Sequence, residues 1–487
     1  MLGTLGWCIV LAASGAGCGQ ADPESLPGSV ETPPPGYIAP SPQRPGDAQR
    51  GYDALVNFGY VRCGLPYPLF AAYSKLFPTK AADKLPGRTG HNAELPYYLT
   101  SFKTKKGVEL VTLNCMVCHA ARLGGQLVMG LGEINSDYTS SVSSLADVLG
   151  KVLALGGSLT LNAEEKAELN RFTSRSTLLA PYLGTRSKGV NPADSLGAIL
   201  AAHRDPTTLA WSDTPIIAPP EKEPVPLDVP PWWRVKKKNA LYYMGFGRAD
   251  HSRLLMASSM LCTDDTAEAD EIDARFPDVR AYLASLSPPR YTGPLDRGLA
   301  DRGRLVFEGT CARCHGSYAG ADKQAADSYP NRLIDIDEVR TDDTLVEEVN
   351  SPRGRQYFGW LNKSWFGKLA RVEPTRGYVA PPLDGVWATA PFLHNGSVPT
   401  LEALLDSSKR PRYFSRQVVA GEDGFDPVAV GIKYTPLDHG QLDEKDASKR
   451  SSIYDTTLLG YSNSGHTFGD ALSAEDRKAV IEYVKTL

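Results

Sequence analysis

Two identically spaced groups of cysteine and histidine constrain this chain more than any other feature. They read Cys115-Met-Val-Cys118-His119 and Cys311-Ala-Arg-Cys314-His315. The C-x-x-C-H spacing attaches haem c, because two thiols one helical turn apart reach the two vinyl groups of a porphyrin and the adjacent imidazole lies beneath the iron. A zinc or thioredoxin-like site would need further Cys or His nearby, which neither motif has. The sequence therefore predicts two covalently bound haem c groups, with His119 and His315 as proximal iron ligands.

Length and charge narrow the class of protein. The 487 residues exceed one ordinary domain and suffice for two, each large enough to enclose a core. The composition is that of a globular protein, and the net charge of −4 is close to balance. This balance argues against a nucleic-acid-binding surface and against a surface that binds anionic lipid.

The beginning of the chain has the pattern of an export segment. Residues 1–20 contain an apolar run that ends in small residues before Cys18. We interpret them as an export signal, with Cys18 either a lipoprotein attachment point or a residue removed with the signal. Residues 21–47 are rich in proline and predict an extended tether. The expected location is therefore the periplasm, the outer membrane through a lipid anchor, or the exterior, with membrane contact only through that anchor.

A loose repeat predicts two domains. Each haem motif is followed, at a similar distance, by a closing helix: AYLASL at 281–286 and EYVKTL at 482–487. Ser473 has the character of an N-cap for the second closing helix. The predicted fold is mainly α, with two cytochrome c-like haem domains, at 48–291 and 295–487, that carry long irregular loops and insertions.

Two cysteines remain outside the motifs and the export segment. They are Cys63 and Cys262, and both fall in the first predicted domain. The sequence leaves two interpretations open: a disulfide formed in an oxidising compartment, or two isolated buried thiols.

The second haem has a short set of candidate distal ligands. No methionine follows residue 260, so His/Met ligation supplied from within the second domain is excluded. The histidines available there are His394, His439 and His466. We favour His466, because it lies in the glycine-flanked loop NSGHTFG, where the backbone can approach a porphyrin face closely. This choice predicts a six-coordinate, bis-histidine haem of low potential.

The first haem lacks an obvious distal ligand. No histidine lies between His119 and His203, so an open or weakly ligated iron is the economical interpretation. His91, His203 and His251 stay as candidate ligands.

An aromatic and basic segment, residues 230–248, falls late in the first predicted domain. Its aromatic residues suit core packing, the lining of an apolar cavity beside a haem, or electron conduction through an indole; they are Trp232, Trp233, Tyr242, Tyr243 and Phe246. Its basic run, Lys236–Lys238, is interpreted as a solvated turn or as partners for haem propionates.

At this point several segments resemble a known superfamily. The stretch APPLDGVWATAPFLHNGSVPTLEALL (380–405) is similar to the signature of the bacterial dihaem peroxidase superfamily. That superfamily contains cytochrome c peroxidases, the dihaem enzyme that matures methylamine dehydrogenase, and the rubber oxygenases. Residues 51–70, 85–102, 114–132 and 230–248, together with the end of the chain, most resemble the rubber-oxygenase branch.

The resemblance implies that the two haems have different roles. The first haem, held by His119, would be the active one and take dioxygen on its open side. The second, with His315 and His466, would be bis-histidine. The resemblance further implies an aromatic residue between the haems at Trp232 or Trp233, Phe246 near the oxygen site, and His394 holding haem propionates and the domain interface.

Three functional hypotheses follow from these expectations. The first is a haem-dependent dioxygenase that cleaves olefinic bonds of a polyisoprenoid-like apolar substrate. The second is a periplasmic dihaem cytochrome c peroxidase, for which Glu133 is the acidic residue nearest after the first motif; against it, this chain lacks a histidine shortly after that motif and a methionine after FLHNG. The third is a non-catalytic electron-transfer cytochrome. A small redox partner protein is expected, and a calcium ion between the domains is left open.

Overall fold

The computed structural model describes residues 36–74, 80–139, 161–320, 326–416 and 424–487. These residues belong to one compact unit, Pro35–Leu487. The export signal and most of the proline-rich stretch lie outside the described residues. The end of that stretch contacts the folded body: Tyr37 forms a β-bridge with Arg332, and the Arg44 guanidinium forms salt bridges with Asp250 and Asp273.

Short helices and short strands alternate along the chain. The α-helices of the described residues are α1 Ala48–Asn57, α2 Tyr67–Ala72, α3 Met116–His119, α4 Ala163–Leu179, α5 Ala193–Ala202, α6 His251–Leu255, α7 Thr266–Asp273, α8 Phe276–Ser285, α9 Arg297–Thr310, α10 Ala312–His315, α11 Ile336–Val339, α12 Thr344–Asn350, α13 Pro352–Lys363, α14 Leu401–Leu405, α15 Ala447–Arg450 and α16 Ala474–Val484. A 3-10 helix, Trp232–Lys237, follows the proline pair of the aromatic segment.

The strands form six small antiparallel sheets within the described ranges. The strands are β1 Leu65–Pro66, β2 Leu99–Lys103, β3 Glu109–Leu113, β4 Ala120–Leu123, β5 Gln126–Met129, β6 Gly247–Ala249, β7 Leu333–Asp335, β8 Ala370–Val372, β9 Gly377–Val379, β10 Tyr413–Arg416, β11 Phe425–Asp426, β12 Gly431–Ile432, β13 Tyr434–Pro436 and β14 Ile453–Asp455. Two sheets have three strands, in the orders β1-β3-β2 and β13-β10-β14. The pairs β4–β5, β6–β8, β7–β9 and β11–β12 make the other four. With about 40% helix and 14% strand, the chain fits a mainly α class only loosely.

Two crossing helix pairs repeat along the chain. Helix α1 packs against α8, and α9 packs against α16. Each crossing has a glycine at its closest point: a Cβ added at Gly51 would lie 1.9 Å from the Asp278 carbonyl oxygen, and one added at Gly303 would lie 1.9 Å from that of Ala479. Both predicted closing helices are therefore present, and the Ser473 side chain caps α16 as predicted.

The apolar core consists of two main clusters. The larger extends from Ala54 to Ala380, and the smaller contains Val190 and residues between Phe307 and Leu487. Residues 334–380, which follow the predicted domain boundary, thus pack with the first half of the chain. The boundary itself falls in the connection between α8 and α9. The assignment of one haem domain to each side of this connection stays a prediction.

A disulfide settles the alternative left open for the two remaining cysteines. Cys63 and Cys262 are bonded, with their Cα atoms 5.6 Å apart and 199 positions separating them in the chain. Both side chains are fully buried. The bond ties the segment before β1 to the turn after α6. Among the described residues, no helix is long and apolar enough to cross a membrane.

Candidate haem sites

Both C-x-x-C-H motifs adopt the same local structure. Each lies on a single helical turn, α3 or α10, and in each the backbone N–H of the histidine donates to the carbonyl of the first cysteine at 3.1 Å. None of the four motif cysteines forms a disulfide with a described residue. Two thiols and an imidazole on one turn match the requirements of covalent haem attachment. The donor set in each motif therefore fits a haem c.

Each proximal histidine has a proline carbonyl beside it. The His315 Nδ1–H donates to the Pro381 carbonyl at 2.9 Å, which leaves Nε2 as the ligating atom. At the first motif, burial lowers the pKa of His119 to about 4, and the Pro230 carbonyl opposes this shift. Both imidazoles are thus neutral at pH 7, the form that binds a metal ion. Each proline begins a Pro-Pro pair, and no side-chain pattern in the sequence predicts this role.

The second motif faces another histidine. The ring centroids of His315 and His466 are 6.1 Å apart, with an angle of 60° between the ring planes. An iron ion about 2 Å from one nitrogen of each ring would separate the centroids by about this distance. Burial, followed by the neighbouring His315, lowers the pKa of His466 to about 4 and keeps it neutral. The residues present therefore fit a bis-histidine haem.

Backbone geometry brings His466 to this position. His466 has φ +47°, and the preceding Gly465 has φ +71°. A Cβ at Gly465 would lie 2.1 Å from the carbonyl carbon of Arg340, so only glycine fits there. The His466 N–H donates to the Val339 carbonyl at 2.8 Å. The glycine-flanked loop thus lies close to the second C-x-x-C-H motif, and ligation of an iron by His466 stays a prediction.

A single large cavity contains this histidine pair. Its wall is mostly apolar and includes Phe307, Val339, Leu401, Leu404, Phe468, Val480 and Val484 around Cys311 and Cys314. An apolar cavity with two convergent imidazoles suits a flat, hydrophobic macrocycle.

The first motif has different surroundings. The His119 ring stacks on Trp232, with centroids 4.9 Å apart and an interplanar angle of 22°. The Cys115 N–H donates to the Tyr60 hydroxyl at 2.7 Å, and the Tyr138 hydroxyl lies 3.5 Å from the Cys118 sulfur. In the part of the chain that the structure describes, no ring contact joins His119 to another histidine.

The other candidate histidines contact residues outside the motifs or lie apart from the motifs. His91 stacks on Tyr67 and bonds to Glu109, while His203 stacks on Trp211. His439 is exposed and pairs with Asp438. His251 is buried, and neither of its ring nitrogens has a hydrogen-bond partner in the described ranges.

His394 lies in the wall of the second cavity. Its ring stacks on Tyr378 at 4.3 Å, and the Tyr378 hydroxyl lies 3.1 Å from its Nε2. Burial lowers the pKa of His394 to about 3, so the ring is neutral. His315 makes its ring contact with His466 and not with His394. His394 is therefore part of the cavity wall rather than the partner of the proximal histidine. Its predicted contact with haem propionates stays a prediction.

The predicted aromatic residues occupy two places. Trp233 is fully buried and its Nε1–H donates to the Asp384 carbonyl at 2.8 Å, three residues after Pro381. The segment that carries Trp232 and Trp233 therefore contacts the surroundings of both proximal histidines. Phe246 stacks on Tyr242 at 4.5 Å and contacts Phe358 at 5.0 Å. Phe246 and Phe358 belong to the larger core cluster, whereas Tyr242 is exposed on one side and lines the cavity of the second motif.

Comparison with known proteins identifies part of the chain. Residues 377–415 match the family model described as "RoxA-like, cytochrome c-like". This range runs from the start of β9 into β10 and includes Pro381, Trp387 and His394. The chain thus contains a cytochrome c-like domain, and such a domain carries covalently bound haem c.

Two curated relatives extend the similarity. Uncharacterized protein y4iM of Sinorhizobium fredii (strain NBRC 101917 / NGR234) is 28% identical over 285 residues, which is 53% of this chain and 64% of the relative. Uncharacterized protein y4iJ of the same strain is 26% identical over 277 residues, 45% of this chain and 44% of the relative. The matches therefore span less than two thirds of either relative.

A calcium site finds no further support. Within the described segments, no group of three or more His, Cys, Asp or Glu side chains is arranged to hold a metal ion. Calcium stays a prediction.

Proposed function

We propose that this chain is an exported dihaem c-type cytochrome that acts as a haem-dependent dioxygenase. Its substrate would be an apolar olefin of polyisoprenoid type, cleaved at a double bond with transfer of both oxygen atoms of dioxygen. The haem attached at Cys115 and Cys118 would be the active one. The haem attached at Cys311 and Cys314 would transfer electrons, exchanged with a small redox partner protein.

The observation that carries this proposal is the difference between the two proximal histidines. His315 has a second imidazole opposite it, at a separation that accommodates one iron ion. A haem ligated on both faces by protein transfers electrons, whereas one with an open face binds small molecules. His119 has an indole as its ring neighbour. The match of residues 377–415 to a RoxA-like model supports the same assignment.

The chain's own residues would supply binding and orientation at the first site. His119 is buried and neutral, and Trp232 holds its ring plane by stacking. Phe246 and Phe358, which belong to the same core cluster as Met116 and Trp232, would exclude water and bind an apolar chain. When bound, the haem supplies the oxidation chemistry itself.

The route between the haems would run through the Pro230–Trp233 segment. Trp232 lies against His119, and the neighbouring Trp233 bonds to Asp384, in the segment that also holds His315 through Pro381. This connection joins the two proximal ligands through one ring stack, short covalent stretches and two hydrogen bonds.

Export is supported by the Cys63–Cys262 bond. Structural disulfides persist in oxidising compartments such as the periplasm and the exterior and are rare in the cytosol. This agrees with the export signal expected at residues 1–20.

The decisive experiment measures oxygen consumption by the purified dihaem protein with polyisoprene or a short terpene. We expect oxygen uptake and products that carry aldehyde and ketone ends. His119→Ala should abolish both, because the first haem loses its proximal ligand. His91 stacks on Tyr67 and bonds to Glu109, so the His91→Ala variant should retain activity. Turnover that survives in His119→Ala would contradict the proposal.

A peroxidase is the second candidate, and Glu133 is the observation that favours it. The Glu133 N–H donates to the Cys118 carbonyl at 2.8 Å, and burial raises the pKa of its carboxyl. A buried acid beside a haem motif suits proton transfer to peroxide. Peroxide reduction with reduced cytochrome c, lost in Glu133→Gln, would favour this function over the dioxygenase.

A further inference from the structure

The cavity that contains His315 and His466 has a basic end. Arg234 and Lys238, at the last turn of the Trp232–Lys237 helix and just beyond it, both line this cavity. Arg234 lies close enough to His315 to lower the pKa of that imidazole, after the larger effect of burial. These two cationic side chains therefore share a mostly apolar cavity with the second haem motif. Arg313 also lines the cavity, but it pairs with Glu338.

Neither cation has a carboxylate of its own. The Arg234 guanidinium donates to the Asp384 carbonyl and to the Thr389 hydroxyl, both at 3.2 Å and both neutral. The Asp384 carboxylate is held by Lys237 at 2.7 Å, and Lys237 also bonds to Asp327. In the described ranges, the Lys238 ammonium makes no hydrogen bond or ion pair.

The remaining carboxyl group in the cavity wall neutralises the pair only in part. Asp228 lies near Arg234, but burial raises its pKa to about 7, and it accepts a hydrogen bond from the Tyr243 hydroxyl at 3.3 Å. Burial and the neighbouring Arg234 lower the pKa of Lys238 to about 8, so most of the ammonium stays charged at pH 7. Two neighbouring cations in an apolar cavity with less than one counter-charge are unfavourable, so this end of the cavity suits a negatively charged ligand.

We propose that Arg234 and Lys238 bind the propionate carboxylates of the haem attached at Cys311 and Cys314. Arginine presents two parallel N–H donors that match a carboxylate, and lysine adds a point charge. This inference rests on the proposed second haem. It also divides the basic run of the sequence: Lys237 forms ion pairs, whereas Lys238 is the residue directed to the cofactor.

The test is a spectroelectrochemical titration of Arg234→Gln and Lys238→Gln in the full dihaem protein. A cation beside a haem favours its reduced state, which carries one positive charge fewer. We expect each variant to lower the equilibrium constant for reduction of the low-spin haem by about three- to tenfold, where tenfold is 59 mV for one electron. Arg234→Lys should restore most of the change, because it keeps the charge. Lys222→Gln, an exposed lysine, is the matched control and should shift nothing.

Haem content separates this inference from the proposed function. A wild-type protein with fewer than two covalent haems per chain, by pyridine haemochrome assay, would reject the proposed second haem itself. With two haems bound, unchanged potentials in both Gln variants would overturn the inference, as would a shift confined to the other haem. If Arg234→Gln loses haem, Lys238→Gln and Arg234→Lys decide the question in the same titration.

Discussion

The two haem motifs have nearly the same local structure and different surroundings. In both, a single helical turn presents two thiols and a neutral imidazole, with a proline carbonyl beside the ring. At the second motif a histidine from a distant loop faces the proximal one. At the first, the ring neighbour is Trp232. The motif geometry is therefore local in sequence, whereas the surroundings of each proximal histidine come from residues more than a hundred positions away.

The regions around the motifs also differ in how they are held together. Each has a crossing helix pair with a glycine at the contact. The first region adds the Cys63–Cys262 bond and a long insertion of strands between α1 and its motif, whereas α9 leads directly into the second motif. The first region is therefore enlarged before its motif by the β1–β3 sheet, whereas the second region has no element between α9 and its motif in the described residues.

The largest expected effect comes from removing the histidine that distinguishes the two sites. His466→Ala should leave the second haem without its distal ligand, because no other imidazole faces His315 in the described ranges. We expect the reduced wild-type protein to bind one carbon monoxide per chain and the variant to bind two. Added imidazole should restore the low-spin spectrum of the variant.

The matched control for that experiment is His439→Ala. His439 is another late-loop histidine, but it is exposed and paired with Asp438. Removal of the His439 imidazole should leave the reduced protein binding one carbon monoxide per chain. A wild-type protein that binds no carbon monoxide would contradict the open first site and favour the simple electron carrier.

Removing the disulfide tests whether the enlarged first region depends on it. The double variant Cys63→Ala, Cys262→Ala should lower the free energy of unfolding by about 2–5 kcal/mol, since the bond restricts the unfolded chain over 199 positions. Denaturant unfolding of the dihaem protein, followed by circular dichroism, measures this loss. The spectrum of the second haem should persist to higher denaturant than that of the first. Simultaneous loss of both spectra would show that the two regions unfold as one unit.

The crossing glycines test whether the two helix pairs are equivalent. Gly303→Ala and Gly51→Ala would each drive a methyl group into a carbonyl oxygen of the facing helix. We expect each to lower the free energy of unfolding by about 1–3 kcal/mol. Gly309→Ala is the control on the same helix as Gly303, because its added Cβ meets no atom within 4 Å. That variant should be neutral or more stable by about 0.5–1 kcal/mol. A clear difference in the free energy of unfolding between the Gly51 and Gly303 variants would show that the two helix pairs are not equivalent.

The sequence predicted those features that depend on short spacings. The C-x-x-C-H motifs, the capped closing helix after Ser473 and the glycine-flanked loop of His466 are all read within a few residues, and each has the expected local structure. The six small sheets were not predicted, because strands of two to five residues carry little periodicity. The proline carbonyls beside the proximal histidines are backbone atoms, so no side-chain pattern indicates them; only the repeated Pro-Pro pair could have done so.

Tertiary packing also decided questions that the sequence left open. Residues 334–380 join the larger core cluster, which no local pattern indicates. The pairing of Cys63 with Cys262 depends on the fold that brings their Cα atoms to 5.6 Å. The lysines at 236–238 look alike in the sequence, but their surroundings differ. Lys237 is ion-paired, whereas Lys238 faces the cavity.

The smallest expected effect concerns the residue that joins the two sites. Trp233→Phe keeps an aromatic ring in the buried position but removes the Nε1–H that donates to the Asp384 carbonyl. The loss of this hydrogen bond should lower the free energy of unfolding by about 1 kcal/mol, because the carbonyl keeps the Arg234 guanidinium as a donor. If the route between the haems includes this bond, electron transfer from the second haem to the first should slow after flash reduction, with both potentials unchanged. Trp360→Phe is a suitable control, since its indole also donates to a buried carbonyl, that of Arg204, without lying between the motifs. Equal transfer rates in the two variants would exclude the Trp233–Asp384 bond from the route and leave Trp232, stacked on His119, as the aromatic residue to test next.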